Sequence, residues 1–404
     1  MDNVTHAFVG AAMAECAVPA GAPARTRQIL VATGVAAANA PDVDLLYTAI
    51  TEAPLGYLLH HRGHSHTLPG LVVLGIAIWS GLRMLPPSRH ALRGIERRGL
   101  LLIAVALLGH LLMDSANSYG THPFYPFSSR WIYLDAVFVL EPWMWIILGT
   151  VLTLNAARLW RVLVALLTLA PIAVLISVDL ISFGLMSAML AVAAALTFAA
   201  RGWAPRKRAA MVLGVAAAIF LVMPAVSRAA KSSARRALAD VDRGDVVDIV
   251  ADVNPGVPWC WSALTLQSGS DGTHTTLTVR RATLSLLPGA WPAASCASAR
   301  LMSARWTSDD APPSDTVVWH RRWQVDLDEL RTLYAGNCRA RAWLQFGRVP
   351  YLANGTIADL RFEHPVGQNF TPMALDAGGR GCPSYVTSWR PPRTDVLQPA
   401  AVVP

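Results

Sequence analysis

Residues 1–227 contain eight apolar stretches close to membrane length, at about 4–20, 29–50, 67–85, 99–114, 136–155, 160–177, 180–200 and 209–227. A bilayer core about 30 Å thick takes about 20 apolar residues of α-helix, and every backbone polar group inside it must be satisfied by the protein. Helices are what such runs can form there. Composition agrees, since 53% of the 404 residues are hydrophobic and only 15% are charged. The expected fold class is an α-helical polytopic membrane domain of seven to eight spans followed by a mostly β soluble C-terminal domain. A lipid bilayer is the first partner expected.

The formal charge of +8 would suit a nucleic-acid binder, but arginine placement gives it another use. Alternate connections are basic: Arg25 and Arg27; Arg83, Arg89, Arg93, Arg97 and Arg98; Arg158 and Arg161; then Arg201, Arg206, Lys207 and Arg208. The other short connections hold little beyond Arg62 and Arg130. This asymmetry is the positive-inside signal and assigns the basic connections to the cytoplasm. No nucleic-acid partner is expected. The N-terminus, 51–66, 115–135 and the C-terminal domain then face outward. Asp179 must mark a turn for that count to hold. Met1-Asp2-Asn3 lacks the basic start of a cleavable signal, so the first apolar stretch is expected to be retained.

Beyond residue 227 the character changes. Residues 228–245 read as a polar helical connector, and 246–404 as an exported β-rich domain. β-type runs at Val246–Val253, Ser262–Gln267, His274–Arg281, Thr316–Val325, Ala340–Gly347 and Thr356–Phe362 alternate with turns at Asn254-Pro255-Gly256, Ser270-Asp271-Gly272 and Asn354-Gly355. Eight of the 14 tryptophans lie there, including Trp259, Trp261, Trp319, Trp323 and Trp343, and core packing is their simplest use. Cys260, Cys296, Cys338 and Cys382 fall in the same region without a CxxC pair. An even number of cysteines in an exported domain predicts two disulfides, with all three pairings open.

Chemistry concentrates in the first 135 residues. His6, Asp42, Asp44, His60, His61, His64, His66, His110 and Asp114 all sit at one end of an apolar segment. An ionised carboxylate within a span costs about 2.5–3.5 kcal/mol on insertion scales, so such groups are rare without a function. Imidazole with carboxylate is the donor set of zinc and similar divalent ions. Gly109-His110-Leu111-Leu112-Met113-Asp114 puts His110 and Asp114 four apart, on one side of a helix. His60-His61-Arg62-Gly63-His64-Ser65-His66 precedes the third span on the same outward side, which His6 also enters. Asp42 and Asp44 would diverge on an intact helix unless Pro41 reshapes the turn. Four segments thus deliver His or Asp to one plane. The other nitrogen of a metal-bound imidazole needs its own partner, which Thr5 or a spare carboxylate could supply. Arg62 or Arg130 could hold an anionic group.

The same residues resemble a known family. Thr5-His6 with Gly10, Asn39 with Pro41-Asp42 and Asp44, His61-Arg62-Gly63 with Ser65-His66-Thr67, and Gly109-His110 with Asp114 are similar to the YdjM-type membrane-bound metal-dependent hydrolases. Gly120-Thr121, Pro126-Phe127-Ser128 and Asp135 extend the resemblance, which covers about 1–150. It marks 1–150 as a membrane-embedded metal-site domain and 151–227 as additional spans. It also implies the bacterial inner membrane and a remote similarity to zinc-dependent phospholipase C. By that analogy His6, Asp42, His66, His110 and Asp114 are metal ligands. It adds His61 and Asp44 to that set, with Asp135 or Glu141 supporting, and Asp44, His61 and Arg62 are the residues expected to be catalytic.

The function expected is hydrolysis by metal-activated water at the outer membrane interface. Its cofactor is a divalent metal, zinc before manganese, and its substrate a small or lipid molecule, a phosphodiester or phospholipid-like one favoured. The competing reading is a non-enzymatic membrane metal protein: a transporter, a sensor or a structural metalloprotein. A transport path would place polar groups at mid-bilayer along several spans, whereas the last four spans are nearly bare. A third reading makes the β domain a binding module on a membrane anchor. His274, His320, His364 and the Asp359/Arg361 pair are read as structural. The oligomeric state is not encoded in any of these patterns.

Overall fold

The computed structural model describes residues 1–241, 244–270, 274–298, 302, 309, 311–363, 369–376 and 381–398. Ten helices fill the first part: α1 Asn3–Ala17, α2 Ala24–Asn39, α3 Leu55–His60, α4 Leu68–Met84, α5 Pro86–Leu92, α6 Glu96–Ser115, α7 Pro142–Asn155, α8 Arg158–Ser177, α9 Phe183–Ala200 and α10 Pro205–Ala239. Five are long and apolar enough to cross a membrane: α2 with its continuation to Ile50, α6, α8, α9 and α10. A sixth counts if α4 and the segment Leu55–His66, bent by 69°, are taken as one broken span. The expected number of seven to eight also included α1 and α7, which are 15 and 14 residues long. At 1.5 Å per residue each is only about 21–23 Å long.

One end of the bundle gathers the arginines. Arg27 pairs with Glu15 and donates to the Asn155 carbonyl at 2.7 Å, and Arg208 reaches the Ala200 carbonyl at 2.8 Å. Arg98 donates to the Ala17 carbonyl at 3.3 Å, and Arg83 lies 4.0 Å from Glu96. The ends of α1, α4, α7 and α9 therefore meet the starts of α2, α6 and α10. Asp179, at φ 59°, turns the chain between α8 and α9 at the other end. Close packing of α1 on α2 depends on two glycines. A Cβ on Gly10 would collide with the Gly34 carbonyl, and one on Gly34 with that of Gly10. Small residues are how helices approach closely where no hydrophobic effect drives them together.

α10 runs unbroken for 35 residues, so the polar connector is an extension of the last apolar helix. Its Ala230, Ala234 and Leu238, at helical spacing, pack against a sheet. That sheet is antiparallel in the order β1 Asp245–Asn254, β2 Val257–Ser270, β3 Thr275–Ser285 and β4 Val317–Asp326. Alternation along the strands sends Ile249, Ala251 and Val253 to α10 and Val250, Leu264 and Val279 to a second core. A smaller antiparallel sheet follows: β5 Pro350–Ala353, β6 Thr356–Asp359 and β7 Met373–Ala374. Asn354 and Gly355, at φ 50° and 68°, make the expected β5–β6 hairpin.

Two sequence expectations need correction. Ala340–Gly347 is not a strand, because Cys338–Trp343 is helical. Asn337 caps it, accepting from Arg339 N and Ala340 N at 2.9 and 3.0 Å, and the Ala and Arg residues that follow favour helix. Thr356–Phe362 is a strand only to Asp359 and then a 3₁₀ turn. Asp271, Gly272 and His364 lie outside the described residues. Trp261, Trp319, Trp323 and Trp343 are buried in the cores. Cys260 is joined to Cys296, and Cys338 to Cys382.

The β region covers the end of the bundle opposite the arginines. Trp389 Nε1 donates to the Leu59 carbonyl at 2.8 Å, Trp131 Nε1 to that of Gln345 at 2.7 Å, and Arg361 to that of Ser118 at 2.7 Å. Leu55, Leu58 and Leu59 of α3 belong to the same core as Trp343 and Phe346. That covered end carries the histidines and aspartates.

Candidate metal centre

α2 stops at Asn39, and residues Ala40–Ile50 wind as a 3₁₀ helix, an unusually long one. Pro41 cannot supply a backbone donor, so the α-helical ladder fails there. Two residues turn about 200° on an α-helix and about 240° on a 3₁₀ helix. Asp42 and Asp44 therefore diverge less than they would on α2. Both carboxylates are buried, while Val43, Leu45, Leu46 and Ile50 on the same segment are exposed. α6 contributes His110 and Asp114, and the 3₁₀ turn His64–His66 contributes His66, whose Ser65 hydroxyl donates to Asp44 Oδ2 at 2.7 Å.

Asp42, His66, His110 and Asp114 each offer one donor atom, and these atoms all lie within 4.8 Å of one another. His66 Nε2 is 3.5 Å from Asp42 Oδ1 and 3.3 Å from Asp114 Oδ2. His110 Nε2 is 3.7 and 3.6 Å from the same two carboxylates and 3.0 Å from His66 Nε2. The far sides of both rings are already committed. His110 Nδ1 is 2.6 Å from the Ala38 carbonyl, which can only accept, so Nδ1 carries the proton. His66 Nδ1 is 3.1 Å from Asp44 Oδ2. Both Nε2 atoms thus face the Asp42 and Asp114 carboxylates, and as neutral rings they would offer two lone pairs to a shared cation.

The structure brings His6 to this cluster, its Nε2 3.1 Å from Asp114 Oδ1 and its ring stacked 3.8 Å from His110. His6 Nδ1 is buried and has no hydrogen-bond partner among the described residues. The Met1 amino group also contacts Asp114. Asp44 stands behind the donors: it accepts from Arg62 N at 2.9 Å and lies 3.1 Å from His61 Nδ1. Asp42, Asp44 and His61 form a second group with ligand-compatible spacing, sharing Asp42 with the first.

Arg62, at φ 57°, is folded inward. Its Nε lies 2.9 Å from Asp114 Oδ2, its Nη1 donates to Asn117 Oδ1 at 2.8 Å, and its guanidinium lies over the Tyr119 ring. Arg62 thus balances carboxylate charge inside the cluster, whereas Arg130 is exposed. His60 bonds Thr51 at 2.7 Å, and His64 is an exposed ring against Tyr125 and Trp389.

Three expected supporting residues sit elsewhere. Thr5 bonds Asp2 at 2.6 Å in the cap of α1. Asp135 holds Arg348 through paired bonds of 2.8 and 2.9 Å and also meets Lys231, so it fastens the β domain to the bundle. Glu141 caps α7. Neither a family resemblance nor the need of an imidazole for a partner reveals that a distant arginine competes for the Asp135 carboxylate. Asn117 and Tyr119, three and five residues past Asp114, went unremarked. An amide one turn beyond a buried His/Asp helix end is the signal that could have found the first.

Residues 1–186 match the family model of the YdjM inner membrane protein. The uncharacterized protein YfhP of Bacillus subtilis (strain 168) is 29% identical over 150 residues, which are 36% of this chain and 43% of that protein. The match therefore spans less than half of that relative. No solved structure gives a significant match. The helices and turns that carry the His/Asp cluster all lie within the residues 1–186 that match the YdjM model.

Proposed function

We propose that this protein is a membrane-bound metal-dependent hydrolase acting at the outer membrane–water interface. Asp42, His66, His110 and Asp114 hold the ion, with His6 beside them, and the substrate is a phosphodiester or phospholipid-like molecule. The observation that carries this reading is the pair of imidazoles whose Nε2 atoms face each other at 3.0 Å with their Nδ1 atoms already engaged. The donor set of two nitrogens and two carboxylates suits zinc, with manganese second. When bound, such an ion lowers the pKa of water toward about 7 and polarises a phosphoryl oxygen.

The chain's own groups do the rest. Asp44 fixes the His61 tautomer through Nδ1, which leaves Nε2 to take or give a proton at the reacting atoms. Asp44 also orients His66, and Arg62 offsets the carboxylate charge. Asp42 and His61, the least covered members of the cluster, mark the side from which substrate arrives. Basic connections at the opposite end support an outward position for this end.

One observation favours a structural metal instead. His66 and His110 are fully buried, and closed sites are typical of structural ions. The deciding experiment measures metal content by mass spectrometry and phosphodiester or phospholipid hydrolysis on the same detergent-purified samples. Metal with turnover, both lost in His110→Ala/Asp114→Ala, supports the hydrolase. Metal without turnover leaves the structural reading, and no metal after reconstitution overturns both.

A further inference from the structure

A cavity of about 460 Å³ lies away from the His/Asp cluster, between α7, α10 and the β1–β2 turn, with Val137, Glu141, Trp143, Ile219, Met223 and Gly256 in its walls. Its size falls in the range of small-molecule pockets, and its lining is apolar apart from one carboxyl. The α10 wall belongs to the most apolar candidate span of the chain, on which Leu221 and Val222 are exposed. Hydrocarbon is therefore the medium on that side. The roof is fixed: Trp143 Nε1 donates to the Gly256 carbonyl at 2.8 Å, and Gly256 has φ 73°. A bulkier residue there would be both strained and in collision with Met189.

Glu141 is the polar exception. It is buried, it accepts from the backbone of Trp143, at a long 3.4 Å, and of Gly256, and among the described residues it has no ion-pair partner. An ionised carboxyl buried without a cation is costly, so an ammonium beside Glu141 would stabilise its charged form. We infer that this cavity is a lipid site that takes one acyl chain of an amine-headed phospholipid, whose ammonium reaches Glu141. A carboxylate repels an anionic headgroup and pairs with an ammonium, so the zwitterionic lipid is selected over the anionic one. The site is independent of the metal centre and does not rest on the hydrolase reading.

The test is native mass spectrometry of the full chain, purified from vesicles of equal phosphatidylethanolamine and phosphatidylglycerol. One retained phosphatidylethanolamine per chain is expected, lost in Ala218→Trp, which fills the cavity. It is kept in Leu221→Trp, which places the same bulk on a neighbouring exposed position. Glu141→Gln is expected to retain lipid without headgroup preference. Unchanged melting in all three variants shows that the fold persists. No retained lipid, or equal retention in both tryptophan variants, overturns the site and leaves only lipid of the general annulus. An unchanged headgroup preference in Glu141→Gln overturns the role of that residue.

Discussion

His110 Nδ1–H donates a hydrogen bond to the carbonyl of Ala38 at 2.6 Å. The acceptor belongs to the last turn of α2, whose carbonyls have no partners within the helix. The bond therefore does two things: it satisfies an orphan carbonyl where Pro41 breaks the ladder, and it turns the imidazole lone pair toward His66. Local helix termination and ligand orientation are one event.

The double change His110→Ala/Asp114→Ala is expected to abolish metal retention while the α6 helix persists, since both substitutions keep good helix formers or better. Metal content by mass spectrometry beside far-UV circular dichroism checks it. Metal at wild-type stoichiometry in the variant would make the cluster a hydrogen-bonded network.

His61→Asn is expected to behave differently. His61 touches Asp44 and lies at the edge of the cluster, so the metal at Asp42, His66, His110 and Asp114 should remain while turnover falls about 10²–10⁴-fold, the usual reach of general acid–base catalysis. Rates against pH for wild type and variant give the second readout, because loss of a proton carrier removes one limb of the profile.

Arg348→Ala is expected to loosen the two halves of the protein. It leaves Asp135 with Lys231 alone and strips Asp248 of its nearest guanidinium. Breaking a buried pair from one side costs about 3–5 kcal/mol. Limited proteolysis should then cut between the bundle and the β region at lower protease concentrations than in wild type.

Stability of the β region should depend on pH through Asp252. Burial, then the charge of Asp135, raises its pKa from 3.8 to about 6. The folded state binds more protons than the unfolded one across that window, so stability falls as pH rises from about 4 to 6. Asp248 acts oppositely. Burial would raise its pKa, but Arg348 and Arg393 hold it at about 2, so its contribution is present above 3.8 and fades as pH falls toward 2. Hydrogen exchange of β1 across pH, corrected for intrinsic rates, should show the decline above about pH 4 in wild type and not in Asp252→Asn.

Gly10→Leu is expected to weaken metal retention although Gly10 touches no ligand. It forces α1 away from α2 and carries His6, one turn earlier, off Asp114. Overpacking of this kind costs about 1–3 kcal/mol. Equal metal content in Gly10→Leu would show that His6 is dispensable.

The periodic and compositional signals were legible: apolar runs gave the helices, turn residues gave the β1–β2 and β5–β6 connections, and His6, Asp42, Asp44, His61, His66, His110 and Asp114 lie together, while His60 and His64 turn to other partners. What stayed hidden depends on long-range partners. Asp135 lies near the cluster in sequence, yet Arg348, 213 positions away, takes its carboxylate. Ala340–Gly347 looked like a strand because its apolar residues fit either period, and the Asn337 cap decides for helix only once the chain before it turns. Pairing of the four cysteines likewise needed the sheet that brings Cys260 beside Cys296.

The 3₁₀ segment has a mechanical consequence. Along Ala40–Ile50 the buried carboxylates of Asp42 and Asp44 share a single strand of backbone with the exposed side chains of Val43, Leu45 and Leu46. A load on Leu46 acts on the same backbone that holds Asp44, so the spacing of the cluster is expected to respond to the medium around it. Bilayer thickness and lateral pressure become variables of the site's chemistry, and a detergent micelle is a different experiment from a membrane.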